Sequence, residues 1–221
     1  VIWRASLIAF SFASAPPFVK NDMQRSPGVT SASSFPSRER DAVAIGGNHF
    51  IHAARRNIDL TAIILNNSVY GMTGGQYSPT TPYGMRSTTT MYTNIEHAFK
   101  ISELAATAGA AFVGRGTVYH AKMLDGLMEK AFLKQGFSVV EVIAHCHTQY
   151  GKLNHLGGPV EMLQWQRDHA LTVEAASTMK PEEIEEDKFL IGVLADRELP
   201  VYTEEYDRIR QRAKMGQGKE T

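Results

Sequence analysis

The chain has 221 residues and a single cysteine, Cys146. One thiol cannot form a disulfide within the chain, and such sparing use of cysteine fits a reducing cytoplasm. Net charge is also lacking, because 23 Lys and Arg balance 23 Asp and Glu. A neutral chain without a basic stripe offers no electrostatic footprint for nucleic acid. Long apolar runs are missing as well, and none approaches the ~20 residues that a membrane-spanning helix needs. Neither nucleic acid nor a membrane is therefore expected as a partner. Hydrophobic residues still make up 43% of the chain. That excludes a disordered polypeptide and suffices for one α/β domain with appendages.

Pattern is scarce in residues 1–40. Val1 is not an initiator methionine, so the chain is expected to begin inside a longer product. Residues 2–15 resemble a short signal peptide ending in Ala13-Ser14-Ala15, although Arg4 is the only positive charge. Residues 24–40 are rich in Ser, Pro and Arg and follow neither the helix nor the strand period. Only residues 7–12 offer a candidate element. From Asp41 the text changes, which divides the chain into an atypical segment (1–40), an α/β domain (41–175) and a helical tail (176–221).

Asp41-Ala42-Val43-Ala44-Ile45-Gly46-Gly47 is an apolar stretch ending in two glycines. A helix is expected over 47–57 with Asn57 as its stop. The strand over 59–65 carries Ile63-Ile64-Leu65, which points to burial on both faces. Residues 66–93 form a long loop without regular structure, a length that usually signals function. Asn94 is expected to cap a helix bearing Ile95, Ala98, Ile101, Leu104 and Ala105, with Gly109 as terminator. Then come a strand over 111–116 and an amphipathic helix over 120–134 with Met123, Leu124, Leu127, Met128 and Ala131 on one face. A strand over 137–144 and a helix from Gly158 or Pro159 to Leu171 follow. In the tail, Lys180-Pro181 begins a helix, 189–194 forms a strand and 202–214 a last helix. Such alternation implies an α/β fold: a mostly parallel sheet with right-handed crossovers and helices on both faces.

The strand over 60–65 empties into Asn66-Asn67-Ser68-Val69-Tyr70-Gly71-Met72-Thr73-Gly74-Gly75-Gln76. In open α/β sheets ligands bind at the carboxyl ends of the strands, although Asn and Gly are also ordinary turn formers. A magnesium ion takes about six oxygens. This loop offers the Asn67 side chain and the Val69 carbonyl. Gly74 and Gly75 let the backbone approach a phosphate, and Thr73, Ser78 and Thr80 add hydroxyl donors. A carboxylate from the end of a preceding strand would complete the set.

The segments 41–49, Arg55-Arg56-Asn57 and 66–76, with the tail over 180–206, resemble the β subunit of 2-oxoacid:ferredoxin oxidoreductases, and its 2-oxoglutarate branch above all. The resemblance spans about residues 41–215. It implies the thiamine diphosphate-binding fold, here with an incomplete amino-terminal part. It also implies an oxidoreductase subunit that works with an α subunit, and often γ and δ subunits. Such enzymes convert a 2-oxoacid and CoA to an acyl-CoA and carbon dioxide and reduce ferredoxin. Thiamine diphosphate would be held by Gly46, Gly47, His49, Tyr70, Gly71, Thr73 and Gly74, and Mg2+ by Glu39, Asn67 and Val69. Cys146 matches the last of the cysteines that hold the family's iron–sulfur cluster. The other three are absent, and one thiolate cannot hold a four-iron cluster. No catalytic residue is implied, since the thiamine ring supplies the electron sink and the activating glutamate comes from the partner subunit.

The family's Gly-Asp-Gly-Asp reads Arg38-Glu39-Arg40-Asp41 here. The glycines that let the backbone turn toward the diphosphate are lost. An out-of-frame or misjoined origin for residues 1–40 would account for so abrupt a break; a real but diverged subunit is the rival reading. The alternative to an enzyme subunit is a non-catalytic fragment that keeps the fold and binds no cofactor. Other candidates remain open. His145, Cys146, His147 and His155 include zinc-ligand types at no standard spacing. His49 and His52 suit either a cofactor face or a helix surface. Lys152 suits an anion or solvent, and residues 182–187 a solvated acidic face.

Overall fold

In the computed structural model the chain divides into two compact units, Val1–Ser31 and Ala32–Thr221. The described residues are 33–38, 40–185 and 187–217, all in the second unit. The candidate element at 7–12, the signal-like segment and Glu39 lie outside them.

Strands β1 (Ser33–Arg38), β2 (Leu60–Asn66), β3 (Phe112–Thr117) and β4 (Phe137–Ile143) run parallel, in the order β1-β2-β4-β3. Parallel neighbours need long crossovers. These come from helices α1 (Gly47–Arg56), α2 (Ile101–Thr107) and α3 (Ala121–Leu133). Beyond β4 lie α4 (Pro159–His169), β5 (Ala170–Thr172), α5 (Val173–Thr178), β6 (Phe189–Asp196) and α6 (Tyr202–Gln217). Strand β6 joins β3 antiparallel and carries β5 outside it, completing a six-stranded sheet.

Side chains alternate across a strand, so each central strand feeds two cores. On one face Phe50 and Ala54 of α1 and Ile101 and Ala105 of α2 pack with Ile64, Val113, Phe137 and Val139. On the other, Leu124, Leu127 and Ala131 of α3 pack with Phe112, Val140 and Val142. The expected helices on both faces are thus present. In β3, Gly116 lets α3 come close: a Cβ there would lie 2.9 Å from Leu124 Cδ1.

Several expectations fail for local reasons. Ser33–Arg38 is a strand although its sequence has no alternation; Pro36 lacks an N–H and sits where that costs least, on the sheet edge. The apolar stretch after it is a wide helical turn, Arg40–Ala44, leading into α1. Asn94 caps no helix. Helix α2 starts at Ile101, and Asn94 is buried in the preceding loop, donating to the carbonyls of Thr81 (2.8 Å) and Glu96 (2.9 Å). The helix expected from Lys180-Pro181 is a single 3-10 turn, Pro181–Glu183, because β6 follows within a few residues.

Candidate functional site

The parallel register brings the four strand exits to one edge. Arg38 stands opposite Leu65, and Ile143 pairs with both Asn66 and Thr117. The turn into α1, the loop after Asn66 and the loop after Ile143 therefore open from neighbouring strand ends, where α/β folds bind ligands.

The loop after Asn66 folds back on itself. Tyr70 N–H donates to the Gln76 carbonyl (2.9 Å) and Gly75 N–H to the Tyr70 carbonyl (2.9 Å), around a 3-10 turn at Gly71–Thr73. Gly74 (φ 111°) and Gly75 (φ 84°) occupy the left-handed region that closes the turn. Gly75 has a second constraint, since a Cβ there would lie 2.8 Å from Gln149 Cβ. Val69 is fully buried and its carbonyl accepts from Gly71 N–H at 2.8 Å. The half-buried Asn67 side chain has no hydrogen-bond partner among the described residues.

Backbone bonds latch this loop to the exit of β4. Ala144 N–H (2.9 Å) and His145 N–H (3.3 Å) donate to the Asn66 carbonyl, and Cys146 N–H donates to that of Asn67 (3.2 Å). Gly71 lies against Cys146, so a Cβ at Gly71 would meet Sγ at 2.8 Å. Val69, Tyr150 and Met162 form a small core beneath both loops, with Met85, Cys146 and Leu156 packed on it.

The expected site residues distribute unevenly. Asn67, Val69, Tyr70, Gly71, Thr73 and Gly74 share one loop. Gly46 is the N-cap of α1 and Gly47 its first residue, with open space where a Cβ would project; His49 is exposed on the same helix. These three belong to the adjacent strand exit. Two expected hydroxyl donors are used internally: Ser78 and Thr80 are buried and bond to each other at 3.0 Å. Thr81 Oγ1 likewise donates to the Ser68 carbonyl at 2.6 Å, pinning the turn from below. Thr73 stays exposed, its hydroxyl 2.5 Å from Gln76 Oε1. Among the described residues no three His, Cys, Asp or Glu side chains converge on a metal position, so the zinc alternative around Cys146 gains no support. Lys152 and the described acids of 182–187 are exposed, as solvated groups.

Two features escaped the sequence reading. A cavity of about 190 Å³ lies beside the β4 exit, lined by Met85, His145, Tyr150, Leu156, Glu161, Met162 and Trp165. Burial holds the His145 imidazole well below its ordinary value, at about 4, and pushes the Tyr150 phenol up to about 12. Both are neutral at pH 7. The second feature is a buried charged network. Glu141 Oε2 accepts from Arg115 Nε (3.0 Å) and Ser102 Oγ (2.5 Å), while Oε1 accepts from Asn66 Nδ2 (2.9 Å). Burial would lower the Arg115 pKa, but the Glu141 and Glu103 carboxylates outweigh it and raise the value. A signal for this network stood in the text: Arg115 and Glu141 are lone charges in two apolar strands, and the register pairs them directly.

Comparison with known proteins adds the class. The family described as thiamine pyrophosphate enzyme, C-terminal TPP binding domain, matches residues 41–142, the stretch that builds α1 to β4 and the latched loop. That stretch, with its mostly parallel sheet, is similar to a thiamine diphosphate-binding α/β domain. The 2-oxoglutarate synthase subunit KorB of Methanocaldococcus jannaschii is 42% identical over 174 residues, covering 79% of this chain and 64% of that protein. Its counterpart in Methanothermobacter marburgensis is 46% identical over 160 residues, covering 72% and 56%. A solved 2-oxoglutarate:ferredoxin oxidoreductase from Magnetococcus marinus, with 2-oxoglutarate, coenzyme A and succinyl-CoA bound, superimposes with a TM-score of 0.67 at 25% identity, over 80% of this chain and 60% of that one. Over most of its length the chain is thus similar to 2-oxoglutarate synthase subunits of the KorB type. It spans 64% and 56% of the length of the two curated relatives.

Proposed function

We propose that this chain is the thiamine diphosphate-binding β subunit of a 2-oxoacid:ferredoxin oxidoreductase acting on 2-oxoglutarate, a CoA-dependent oxidative decarboxylation that reduces ferredoxin. One observation carries the site: the loop 66–76 is folded into a latched turn at the carboxyl edge, in which the Asn67 side chain has no hydrogen-bond partner among the described residues and, two residues on, the Val69 carbonyl accepts from Gly71 N–H. An amide oxygen and a backbone carbonyl are ligand types that a hard cation such as Mg2+ takes. In this reading Asn67 and Val69 hold the metal. Gly46 and Gly47, at the start of α1, leave room for backbone N–H groups to meet the diphosphate. His49, Tyr70, Gly71, Thr73 and Gly74 complete the cofactor contacts, and in sequence Glu39 falls at the remaining metal position of the family's motif. The bound cofactor supplies the carbanion-stabilising chemistry; the chain's residues bind it, orient it and restrict water.

Partner subunits are supported by the loop between Pro82 and Lys100. Its backbone is pinned by Gly84 N–H to the Asn94 carbonyl (2.8 Å), Asn94 N–H to Met85 (2.7 Å) and Phe99 N–H to Pro79 (2.7 Å). Yet it exposes Tyr83, Met91, Tyr92, Ile95 and Phe99, with Tyr92 at 94%. An ordered loop that displays large apolar side chains marks an interface, and the α subunit is the partner assigned to it. A cytoplasmic setting belongs to the same reading. No iron–sulfur cluster is assigned to Cys146 alone.

A second reading rests on one sequence fact. The metal-binding acid and its flanking glycines are replaced by Arg38-Glu39-Arg40, which suits a domain that keeps the fold and binds no cofactor. Calorimetric titration of the full chain with thiamine diphosphate, with and without Mg2+, separates the two. Mg2+-dependent binding abolished by Asn67→Ala is expected; a folded chain that takes up no cofactor establishes the inert reading.

A further inference from the structure

We infer that Glu141, held by Arg115, is a positioning residue that sets the metal-binding turn through the side chain of Asn66. The inference rests on the cofactor reading above and deepens it.

The chain of contacts is continuous and buried. Glu141 is 2% exposed and Arg115 7% exposed. Every partner of the Glu141 carboxylate is a donor: Arg115 Nε, Ser102 Oγ and N–H, and the Asn66 amide. Three donors from two residues, Arg115 on the neighbouring strand and Ser102 on α2, fix Oε2, which leaves Oε1 for Asn66. The orientation of that amide is then determined. Its Nδ2 must face Glu141, so its Oδ1 faces the other way and accepts from Ser68 N–H at 3.1 Å. This bond closes a turn in which Ser68 adopts φ 63°, a left-handed conformation that a serine needs help to hold. Thr81 Oγ1 seals the far side on the Ser68 carbonyl. Asn67 lies inside that turn and Val69 directly follows it. The Asn66 side chain, the first of the asparagine pair, is therefore committed to the scaffold, and Asn67 remains for the metal.

Hydrogen-bond polarity makes the role testable. In Glu141→Gln the new amide must either oppose Arg115 and Ser102 or present NH2 to the Asn66 NH2. If Asn66 flips to relieve this, its own NH2 meets Ser68 N–H. Each arrangement leaves donors face to face, at Arg115, at Asn66 or at Ser68, and so loosens the support of the turn that holds Asn67. Asn66→Asp fails oppositely, placing a carboxylate against Glu141. The double variant Glu141→Gln with Asn66→Asp restores the pattern: the introduced amide donates to the introduced carboxylate, whose second oxygen still accepts from Ser68.

The full chain is titrated with Mg2+ in the presence of thiamine diphosphate by calorimetry, and circular dichroism and Tm are recorded for each protein. Partners that orient metal ligands are worth about 10- to 100-fold in metal affinity. Each single variant should weaken Mg2+ by that range, and the double variant should recover most of it. Ser102→Ala, which removes a donor from Glu141 without touching Asn66, should lower Tm and leave Mg2+ affinity close to wild type. Wild-type Mg2+ affinity in a folded Glu141→Gln chain overturns the positioning role alone. So does a double variant no tighter than the singles, or Ser102→Ala loosening Mg2+ as much as Glu141→Gln. If a single variant does not fold, the double variant and Ser102→Ala decide the question by the same criteria. Absence of binding by the wild-type chain overturns the cofactor reading, and the positioning role with it.

Discussion

Replacing Asn57 should cost more stability than any cap-only account allows. Asn57 ends α1 at φ 49°. Its Oδ1 accepts from Phe137 N–H at the start of β4 (2.8 Å), and its Nδ2 donates to the carbonyls of Leu199 (3.2 Å) and Pro200 (3.0 Å) just before α6. One 6%-exposed side chain thus joins three segments distant in sequence. Asn57→Ala removes those bonds and strands a buried N–H, at about 1–3 kcal/mol for the unsatisfied group alone. It also places a non-glycine, non-Asn residue in the left-handed region, at about 1–2 kcal/mol. The expected total is about 2–5 kcal/mol, against a typical domain stability of about 5–15 kcal/mol. Asn57→Gly loses the same bonds without the backbone strain, so it should lie about 1 kcal/mol above the alanine variant. Asn57→Asp keeps the acceptor for Phe137 and loses both donations, and should fall between wild type and alanine. Urea denaturation of the four proteins gives the order. Alanine and glycine variants of equal stability would refute the strain component, and a loss under ~1 kcal/mol for Asn57→Ala would refute the hub.

Two further outcomes follow from the loops. His145 is held near 4 in the folded state against 6.5 unfolded, so the unfolded chain binds the extra proton between those values. Stability is flat above about pH 6.5 and falls as pH drops toward 4, by about 2 kcal/mol between pH 7 and 5; His145→Asn, chosen because Asn tolerates the φ 54° of this position, should remove that share of the slope in urea titrations at both pH values. Asn94→Ala should free the loop without unfolding the sheet, since among the described residues its side-chain hydrogen bonds go to Thr81, Pro82 and Glu96; limited proteolysis between residues 83 and 99 should accelerate, while hydrogen exchange in β2 and β4 stays slow.

What the chain discloses without its structure follows from how far each interaction reaches. Strands β2 and β4 and helix α3 are written locally, as apolar runs and a helical stripe, and they appear where the periods place them. The Asn67–Val69 spacing and the glycine pair are local too. Asn94 misleads because its side chain satisfies three loop carbonyls that a local pattern cannot anticipate, and Ser33–Arg38 is a strand only because β2 offers an edge to pair with. The decisive relation in the site is non-local. Asn66 and Asn67 look equivalent in sequence, and only the register, which sets Glu141 opposite Ile64 and within reach of the Asn66 amide, separates a residue bonded into the scaffold from the proposed metal ligand. A lone acid in an apolar strand and a lone arginine between two glycines were visible all along. Their meaning required knowing that β3 and β4 are neighbours, because a buried charge is tolerable only where a partner meets it. In this chain that partner also orients the turn at which the proposed metal would sit.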